Sequence, residues 1–159
     1  MLYRKQLSKE QAFEKAKHYC AYQERSHYEV KEKLYSFGLY KKQVEELISQ
    51  LIEEDYLNEE RFAIQFAGGK FRMKQWGRVK IKYELKQKQV SEYCIKKALK
   101  QIEEEDYLKT LRKLAEKKWA SVKKTETNKF SRMSKTTDYL LQKGYESDLV
   151  RAAIANLAG

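Results

Sequence analysis

The chain repeats itself at a spacing of 51 residues, and this repetition limits its fold more than any other feature of the sequence. The tetrapeptide Glu-Asp-Tyr-Leu at residues 54–57 returns at residues 105–108. Apolar positions also coincide at this offset. The coinciding pairs are Val30 with Ile81, Leu34 with Leu85, Leu39 with Val90, Val44 with Ile95, Ile48 with Leu99, and Leu51 with Ile102. Such a period is typical of arrays in which each unit buries its apolar face against a neighbour.

A third copy lies 106 residues after the first, where Leu140 falls on Leu34 and Gly144 falls on Gly38. The chain contains no proline and only six glycines. Its abundant Lys, Glu, Gln, Leu and Ala residues are good helix formers. The repeated unit is therefore predicted to be helical.

Capping signals divide each repeat into three helices. In the first repeat, Ser8 with Gln11 resembles a capping box that opens a helix to about Arg25. Ser26 opens a second helix, and Gly38 ends it as the residue after the C-cap. The other expected helices are a third at about 41–54, a long helix from Asn58 that is interrupted and bent at Gly68 and Gly69, and segments near 77–88, 91–104, 107–122, 129–143 and 146–157.

These features predict an all-α fold of three tandem three-helix repeats that form an elongated, curved array. The expected divisions are an N-terminal tail at residues 1–9, repeat 1 at 10–57, repeat 2 at 58–106 and repeat 3 at 107–159. The connection at residues 123–129, which is rich in Thr and Lys, is expected to be a flexible loop.

The positive charge is concentrated in one part of the chain, whose formal net charge is +11. Residues 70–124 hold 18 Lys and Arg against 7 Asp and Glu, and the remaining residues hold 16 of each sign. Such a concentration favours a polyanionic partner, with nucleic acid foremost. The alternative is a basic surface that is merely solvated.

The basic residues of the helix expected near residue 77 share one stripe, because Arg78, Lys82 and Lys86 are four residues apart. Tyr83 lies beside this stripe, as in a surface that tracks a nucleic-acid backbone. Packing of Tyr83 against an adjacent repeat is the competing interpretation, and Trp76 is expected to belong to the core. The full set predicted to bind DNA or a protein–DNA filament is Lys70, Arg72, Lys74, Arg78, Lys82, Tyr83, Lys86, Arg112, Lys113, Lys117 and Lys118.

No constellation for catalysis or metal binding is recognisable in the sequence. The acidic clusters at residues 53–55 and 103–106 recur at the same junction of two repeats, where carboxylates favour the dipole of the following helix. His18 and His27 have no partners at the spacing of metal ligands. The chain is therefore predicted not to be an enzyme and to need no cofactor or metal.

The two cysteines, Cys20 and Cys94, form neither a metal motif nor a disulfide framework, so they are expected to be buried free thiols in a reducing compartment. No apolar run approaches the roughly 20 residues that a membrane span needs. In a secretory signal an apolar stretch follows the basic N-terminal residues, and the sequence after Met1–Lys5 lacks one. We expect a cytoplasmic monomer that does not contact membranes.

Four stretches carry a resemblance to a known family. Residues 25–34 read Arg-Ser-His-Tyr-Glu-Val-Lys-Glu-Lys-Leu, and residues 56–63 read Tyr-Leu-Asn-Glu-Glu-Arg-Phe-Ala. Residues 76–81 read Trp-Gly-Arg-Val-Lys-Ile, and residues 141–145 read Leu-Gln-Lys-Gly-Tyr. In this order, and with the three-helix repeat, they resemble the RecX family of bacterial proteins that regulate the RecA recombinase. The chain departs from the family pattern at Gln89, where the second repeat usually has glycine.

The resemblance implies a non-enzymatic modulator that lies in the helical groove of the RecA–DNA filament. Such a protein inhibits strand exchange and ATP hydrolysis by RecA and favours disassembly of the filament. The implied partners are the RecA filament and single-stranded DNA, contacted directly or through the filament. The alternative function, favoured by the basic patch, is that of an autonomous helical-repeat protein that binds nucleic acid.

Overall fold

The computed structural model describes residues 6–123 and 128–159. In these ranges the chain forms nine α-helices and no β-strand, so the predicted all-α class is confirmed. Parts of the predicted tail and of the predicted loop at 123–129 lie outside the described residues. The helices are α1 (Lys9–Tyr22), α2 (His27–Ser36), α3 (Lys41–Glu53), α4 (Glu59–Lys74), α5 (Arg78–Gln87), α6 (Glu92–Lys100), α7 (Glu104–Lys123), α8 (Lys129–Lys143) and α9 (Ser147–Ala158).

The helix starts follow the capping chemistry of the sequence. Ser8 Oγ accepts a hydrogen bond from the Gln11 N–H, and Gln11 Oε1 accepts one from the Ser8 N–H, each at 3.1 Å. Ser26 Oγ accepts from the N–H three residues later at 3.1 Å. Asn58 Oδ1 accepts from the Arg61 N–H at 2.9 Å. Each cap satisfies a backbone donor that has no partner inside its own helix.

Two helix boundaries differ from expectation. α1 ends at Tyr22 rather than near Arg25, because Gln23 leaves the helix in an extended conformation. α6 ends at Lys100, and α7 begins at Glu104, inside the acidic run that was expected to separate them. The carboxylates of that run therefore lie in the first turn of α7, where the helix dipole favours negative charge.

α4 runs unbroken through Gly68 and Gly69, so the predicted interruption at these residues is wrong. A glycine inside a helix costs roughly 1 kcal/mol relative to alanine. Burial of Phe62, Ala67 and Phe71 on either side of the glycines offsets this cost.

The chain divides into two compact units. The first combines the residues up to Phe66 with Leu85–Ala98, and the second combines Ala67–Glu84 with Leu99–Gly159. The predicted repeat 2 therefore contributes to both units. The division of the chain into three repeats stays a prediction.

The first unit has a core made by α1, α2, α3 and the residues that follow α3. The buried members of this core are Ala12, Ala16, Cys20, Val30, Leu34, Leu39, Val44, Leu47, Ile48, Leu51 and Leu57. Ion pairs attach the later segment of the unit to its earlier helices. Lys88 Nζ lies 3.0 Å from Glu29 Oε1, and Lys97 Nζ lies 3.5 Å from Glu60 Oε1.

Both cysteines are buried free thiols, as predicted. Burial raises the pKa of the Cys20 thiol to about 11. Cys20 is therefore protonated at neutral pH and packs as a small apolar side chain.

In the second unit, α7 packs against α8 and α9. Three aromatic rings occupy the centre of this unit. The Tyr107 ring centroid lies 5.2 Å from that of Tyr145 and 5.8 Å from that of Phe71. Tyr107 and Tyr145 are almost completely buried. Other fully or nearly buried residues of the unit are Ile81, Leu111, Leu140, Val150 and Ile154.

Left-handed backbone ends several helices. Gly38 has φ +87° and Gly144 has φ +100°, as expected for residues that close a helix. Gln89 has φ +61° although its side chain disfavours this conformation. At residue 89, where the family pattern usually has glycine, the backbone therefore adopts a conformation that favours glycine although Gln89 carries a Cβ atom.

Candidate nucleic-acid interface

Arg78 opens α5, and its guanidinium lies between two carboxylates of the second unit. Nη1 donates to Glu146 Oε2 at 2.8 Å, and Nη2 donates to the carboxylate of Glu104. The guanidinium carbon lies 3.7 Å from the centroid of the Tyr107 ring. Only 21% of the Arg78 side chain is exposed. The expectation of an exposed Arg78 is wrong, because these partners draw its charge into the fold.

Tyr107 completes this network. Its hydroxyl donates to the Glu146 carboxylate and accepts a hydrogen bond from the Arg78 backbone N–H at 2.9 Å. Burial, reinforced by the Glu146 hydrogen bond, raises the pKa of Tyr107, so its hydroxyl keeps its proton. Burial lowers the pKa of Arg78, but Glu146 and Glu104 outweigh it, and the pKa ends above its ordinary value. The network joins the first turns of α5 and α7 to the N-cap of α9.

Backbone contacts fix the start of α5 against the turn between α8 and α9. The Gly77 N–H donates to the Lys143 carbonyl at 2.8 Å, and the Val79 N–H donates to the Gly144 carbonyl at 2.9 Å. A Cβ atom on Gly77 would collide with the backbone of Gly144, and one on Gly144 would collide with Lys80. This close approach places lysines of α4, α5 and α8 near one another.

Trp76, in the link between α4 and α5, lies among three lysines. The distances from Nζ to the indole ring centroid are 4.6 Å for Lys80, 5.2 Å for Lys70 and 5.9 Å for Lys74. Trp76 is half-buried, which differs from the expected core position. Ammonium groups at these distances are attracted by the negative face of the ring, which offsets part of their mutual repulsion.

A second aromatic ring extends this group of lysines. Lys143 Nζ donates to the Lys74 carbonyl at 3.1 Å and lies 6.0 Å from the Tyr139 ring centroid. Lys118 Nζ lies 5.1 Å from the same centroid. We call the whole group the lysine–aromatic cluster, and it consists of Lys70, Lys74, Trp76, Lys80, Lys118, Tyr139 and Lys143.

The lysine–aromatic cluster contains only part of the predicted set. Lys70, Lys74 and Lys118 belong to it. Tyr83 is 60% exposed on α5, as the nucleic-acid interpretation required. Lys82 is half-buried, and Lys86 pairs with Glu92 at 3.1 Å. The remaining predicted residues are exposed and lie outside the cluster as defined: Arg72, Arg112, Lys113 and Lys117.

Sequence reasoning missed Lys80, Tyr139 and Lys143. Their grouping depends on the approach of the α8–α9 turn to α5, which no local pattern encodes. One signal was present: Gly77 and Gly144 both fall in the stretches that resemble family motifs. A Cβ atom at either glycine would collide with the facing segment, so a need for glycine at both positions was the sign that the two segments approach closely.

The electrostatics of the second unit suit a polyanion. This unit holds 19 Lys and Arg against 10 Asp and Glu, whereas the first unit holds 15 against 13. Ammonium groups that neutralise phosphates release the cations condensed on a nucleic acid, and this release favours binding. The rings add surfaces on which nucleobases stack.

The described residues contain no group of three or more His, Cys, Asp or Glu side chains that could hold a metal ion. No helix within 6–123 or 128–159 is long and apolar enough to cross a membrane.

The fold and the lysine–aromatic cluster define a helical-repeat protein with a basic surface suited to a polyanionic partner. Models described as the second and third three-helix domains of RecX match residues 58–99 and 104–154. The first range lies inside the predicted second repeat, and the second range begins three residues before the predicted start of the third repeat at residue 107. The chain belongs to the RecX family.

Relatives in several bacteria bear the name of this family. The chain is 36% identical over 129 residues to the "Regulatory protein RecX" of Clostridium perfringens (strain 13 / Type A), covering 81% of this chain and 60% of that protein. It is 29% identical over 158 residues to that of Bacillus cytotoxicus, covering 99% of this chain and 57% of that protein. The chain thus spans less than two thirds of the length of these relatives.

Solved structures share the fold. The crystal structure of RecX from Lactobacillus salivarius superposes with a TM-score of 0.83 at 24% identity, over 94% of this chain and 96% of that one. A second crystal structure of regulatory protein RecX superposes with a TM-score of 0.81 at 22% identity, over 91% of this chain and 70% of that one. The predicted all-α repeat architecture is confirmed.

Proposed function

We propose that this chain binds the RecA–DNA filament and inhibits strand exchange and ATP hydrolysis by RecA, without catalysing a reaction of its own. Membership of a family whose members are named regulatory proteins supports a regulatory role. The observation that carries the proposal is the lysine–aromatic cluster, in which five ammonium groups surround two rings.

The lysine–aromatic cluster has the chemistry to engage the nucleic acid of a filament. Lysines bind phosphates as compact point charges, and their attraction falls steeply as salt screens it. Trp76 and Tyr139 offer ring faces beside those charges. The exposed ring of Tyr83 and the exposed cations of α7 extend the basic surface of the second unit.

Several contacts along one filament strengthen binding beyond any single contact, because the later ones form at high effective concentration. We propose that the chain acts as a monomer in the cytoplasm, where it meets RecA on single-stranded DNA. The second candidate function is autonomous binding of nucleic acid. The same cluster favours it, because lysines beside aromatic rings can bind nucleic acid without RecA.

ATP hydrolysis by RecA on single-stranded DNA separates the two functions when this chain is added in increasing amounts. Inhibition at a small ratio of chain to RecA, far below the amount that coats the DNA, supports the filament regulator. Inhibition only when the chain coats the DNA supports the autonomous binder and contradicts the filament proposal. A salt titration of binding to DNA without RecA measures the electrostatic part separately.

A further inference from the structure

An open cleft lies in the first unit, between the end of α1 and the first half of α4. Its volume is about 510 Å³, within the range of ligand-binding sites. It exists because α1 ends at Tyr22, which lets the following residues turn along the cleft instead of continuing the helix. The lining residues are Cys20, Ala21, Tyr22, Gln23, Glu24, Phe62, Gln65 and Phe66.

The lining of the cleft combines aromatic rings with side-chain amides. Tyr22 is 84% exposed, whereas Phe62 is buried and forms the apolar end of the lining. The ring centroids of Phe62 and Phe66 lie 5.7 Å apart. Gln23 and Gln65 are exposed, and an amide side chain both donates and accepts hydrogen bonds. Aromatic faces beside amides recognise unstacked nucleobases, which are stacked on the rings and bonded along their edges.

Cations stand at the borders of the cleft. The Arg25 guanidinium carbon lies 5.9 Å from the Tyr22 ring centroid, and Lys88 Nζ lies 5.8 Å from that of Phe66. Arg25 also stacks on Tyr19 at 3.8 Å, which holds its guanidinium near the cleft. The Arg25 guanidinium offers a place for a phosphate that flanks a bound base, whereas the Lys88 ammonium group is already paired with Glu29.

Glu24 contributes the one negative charge among the lining residues. Its Oε1 accepts from Arg61 Nε at 2.5 Å, so its charge is paired. A carboxylate has lone pairs for further donors. Carboxylates accept from the exocyclic amino group of cytosine, and adenine also carries such a group, whereas thymine carries none.

We propose that this cleft binds an unstacked, amino-bearing nucleobase of single-stranded DNA, with Tyr22 as the stacking surface and Glu24 and Gln65 at the base edge. The inference rests on the proposed contact with single-stranded DNA. The cleft would provide a second contact with DNA, in the first unit, which has the smaller excess of positive charge. The binding preference of this contact is for oligodeoxycytidine over oligothymidine.

Fluorescence anisotropy with labelled oligodeoxycytidine and oligothymidine tests the inference. Native protein is expected to bind oligodeoxycytidine several-fold more tightly. Tyr22→Ala is expected to weaken that binding about tenfold, the scale of one lost stacked base, while Tyr22→Phe keeps it. Tyr40→Ala is the matched control, because Tyr40 is 61% exposed in the same unit but outside the cleft lining. Circular dichroism checks that each variant is folded.

Equal affinity for the two oligonucleotides, or an unchanged affinity in Tyr22→Ala, would overturn the inference. So would a Tyr22→Ala variant that loses binding to RecA filaments while its affinity for DNA stays native, since the cleft would then take a protein side chain. Failure of the proposed function looks different. In that case native protein would leave ATP hydrolysis by RecA unaffected at small ratios, whatever the cleft variants do to DNA binding.

Discussion

Arg78 and Glu146 lie 68 positions apart in the chain, yet Nη1 of Arg78 donates to Oε2 of Glu146 at 2.8 Å. The arginine that opens α5 is thereby joined to the N-cap residue of α9. We expect Arg78→Gln to lower the free energy of unfolding by roughly 2 kcal/mol, because half-buried Glu146 loses its cation. Chemical denaturation measures the change. Lys113→Gln, at an exposed position of α7, is the control and should stay within about 0.5 kcal/mol of native.

The contact between Gly77 and Gly144 leaves no room for a side chain. Gly77→Ala is expected to destabilise the protein by about 2–4 kcal/mol, since the new Cβ meets backbone rather than a flexible side chain. Gly69→Ala provides the contrast, because a Cβ there meets nothing within 4 Å. That substitution is expected to stabilise α4 by roughly 0.5–1 kcal/mol. Equal thermal shifts for the two variants would contradict the packing described for Gly77.

The left-handed conformation of Gln89 predicts a stabilising substitution. Gln89→Gly removes the Cβ atom that disfavours positive φ, and we expect a gain of about 1 kcal/mol in the free energy of unfolding. Gln89→Ala keeps the Cβ atom and is expected to bring no such gain. Thermal unfolding of the two variants distinguishes relief of backbone strain from loss of the glutamine side chain.

We expect buried His27 to make the protein less stable in mild acid. Its Nε2 is buried and has no hydrogen-bond partner among the described residues. Burial lowers its pKa below the ordinary value of 6.5, and nearby Lys31 acts in the same direction against the opposing effect of Glu59. As the pH falls, His27 therefore takes up a proton in the unfolded chain at a higher pH than it does in the folded protein. The contribution of neutral His27 to the free energy of unfolding is complete above about pH 6.5. It is lost as the pH falls toward the pKa of His27 in the folded protein.

Unfolding by denaturant at pH 7.5 and at pH 5.5 measures the effect of His27. His27→Gln is expected to reduce the loss of stability between these pH values. His18→Gln, on the exposed side of α1, is expected to keep the loss. If both variants show the native pH dependence, His27 is not the group responsible.

Much of the fold was predictable because its signals are local or repeated. Ser8 with Gln11 caps a helix through atoms three residues apart, and the glycine at 38 adopts the left-handed conformation that its position indicated. The offset of 51 residues identified buried positions such as Val30 and Ile81. The unbroken passage of α4 through Gly68 was not predictable from propensity, because burial of neighbouring side chains decides it.

The candidate site was less predictable, because its residues meet through distant parts of the chain. Helical spacing indicates that Arg78 and Lys82 share one face of α5. It cannot show that the carboxylates of Glu104 and Glu146 bind the guanidinium of Arg78. The lysines of the lysine–aromatic cluster come from four helices, α4, α5, α7 and α8. Charge concentration indicated the region that contains the lysine–aromatic cluster, and only the packing of the second unit shows which charges lie together.

The central claim is that the lysine–aromatic cluster carries the regulation of RecA filaments, and ATP hydrolysis by RecA on single-stranded DNA tests it most directly. The variant Lys74→Gln with Lys118→Gln removes two charges of the cluster. Its control, Lys31→Gln with Lys96→Gln, removes two exposed charges of the first unit. We predict at least a tenfold higher half-inhibitory concentration for the cluster variant and a native value for the control. Equal inhibition by native protein and by a folded cluster variant would contradict the claim.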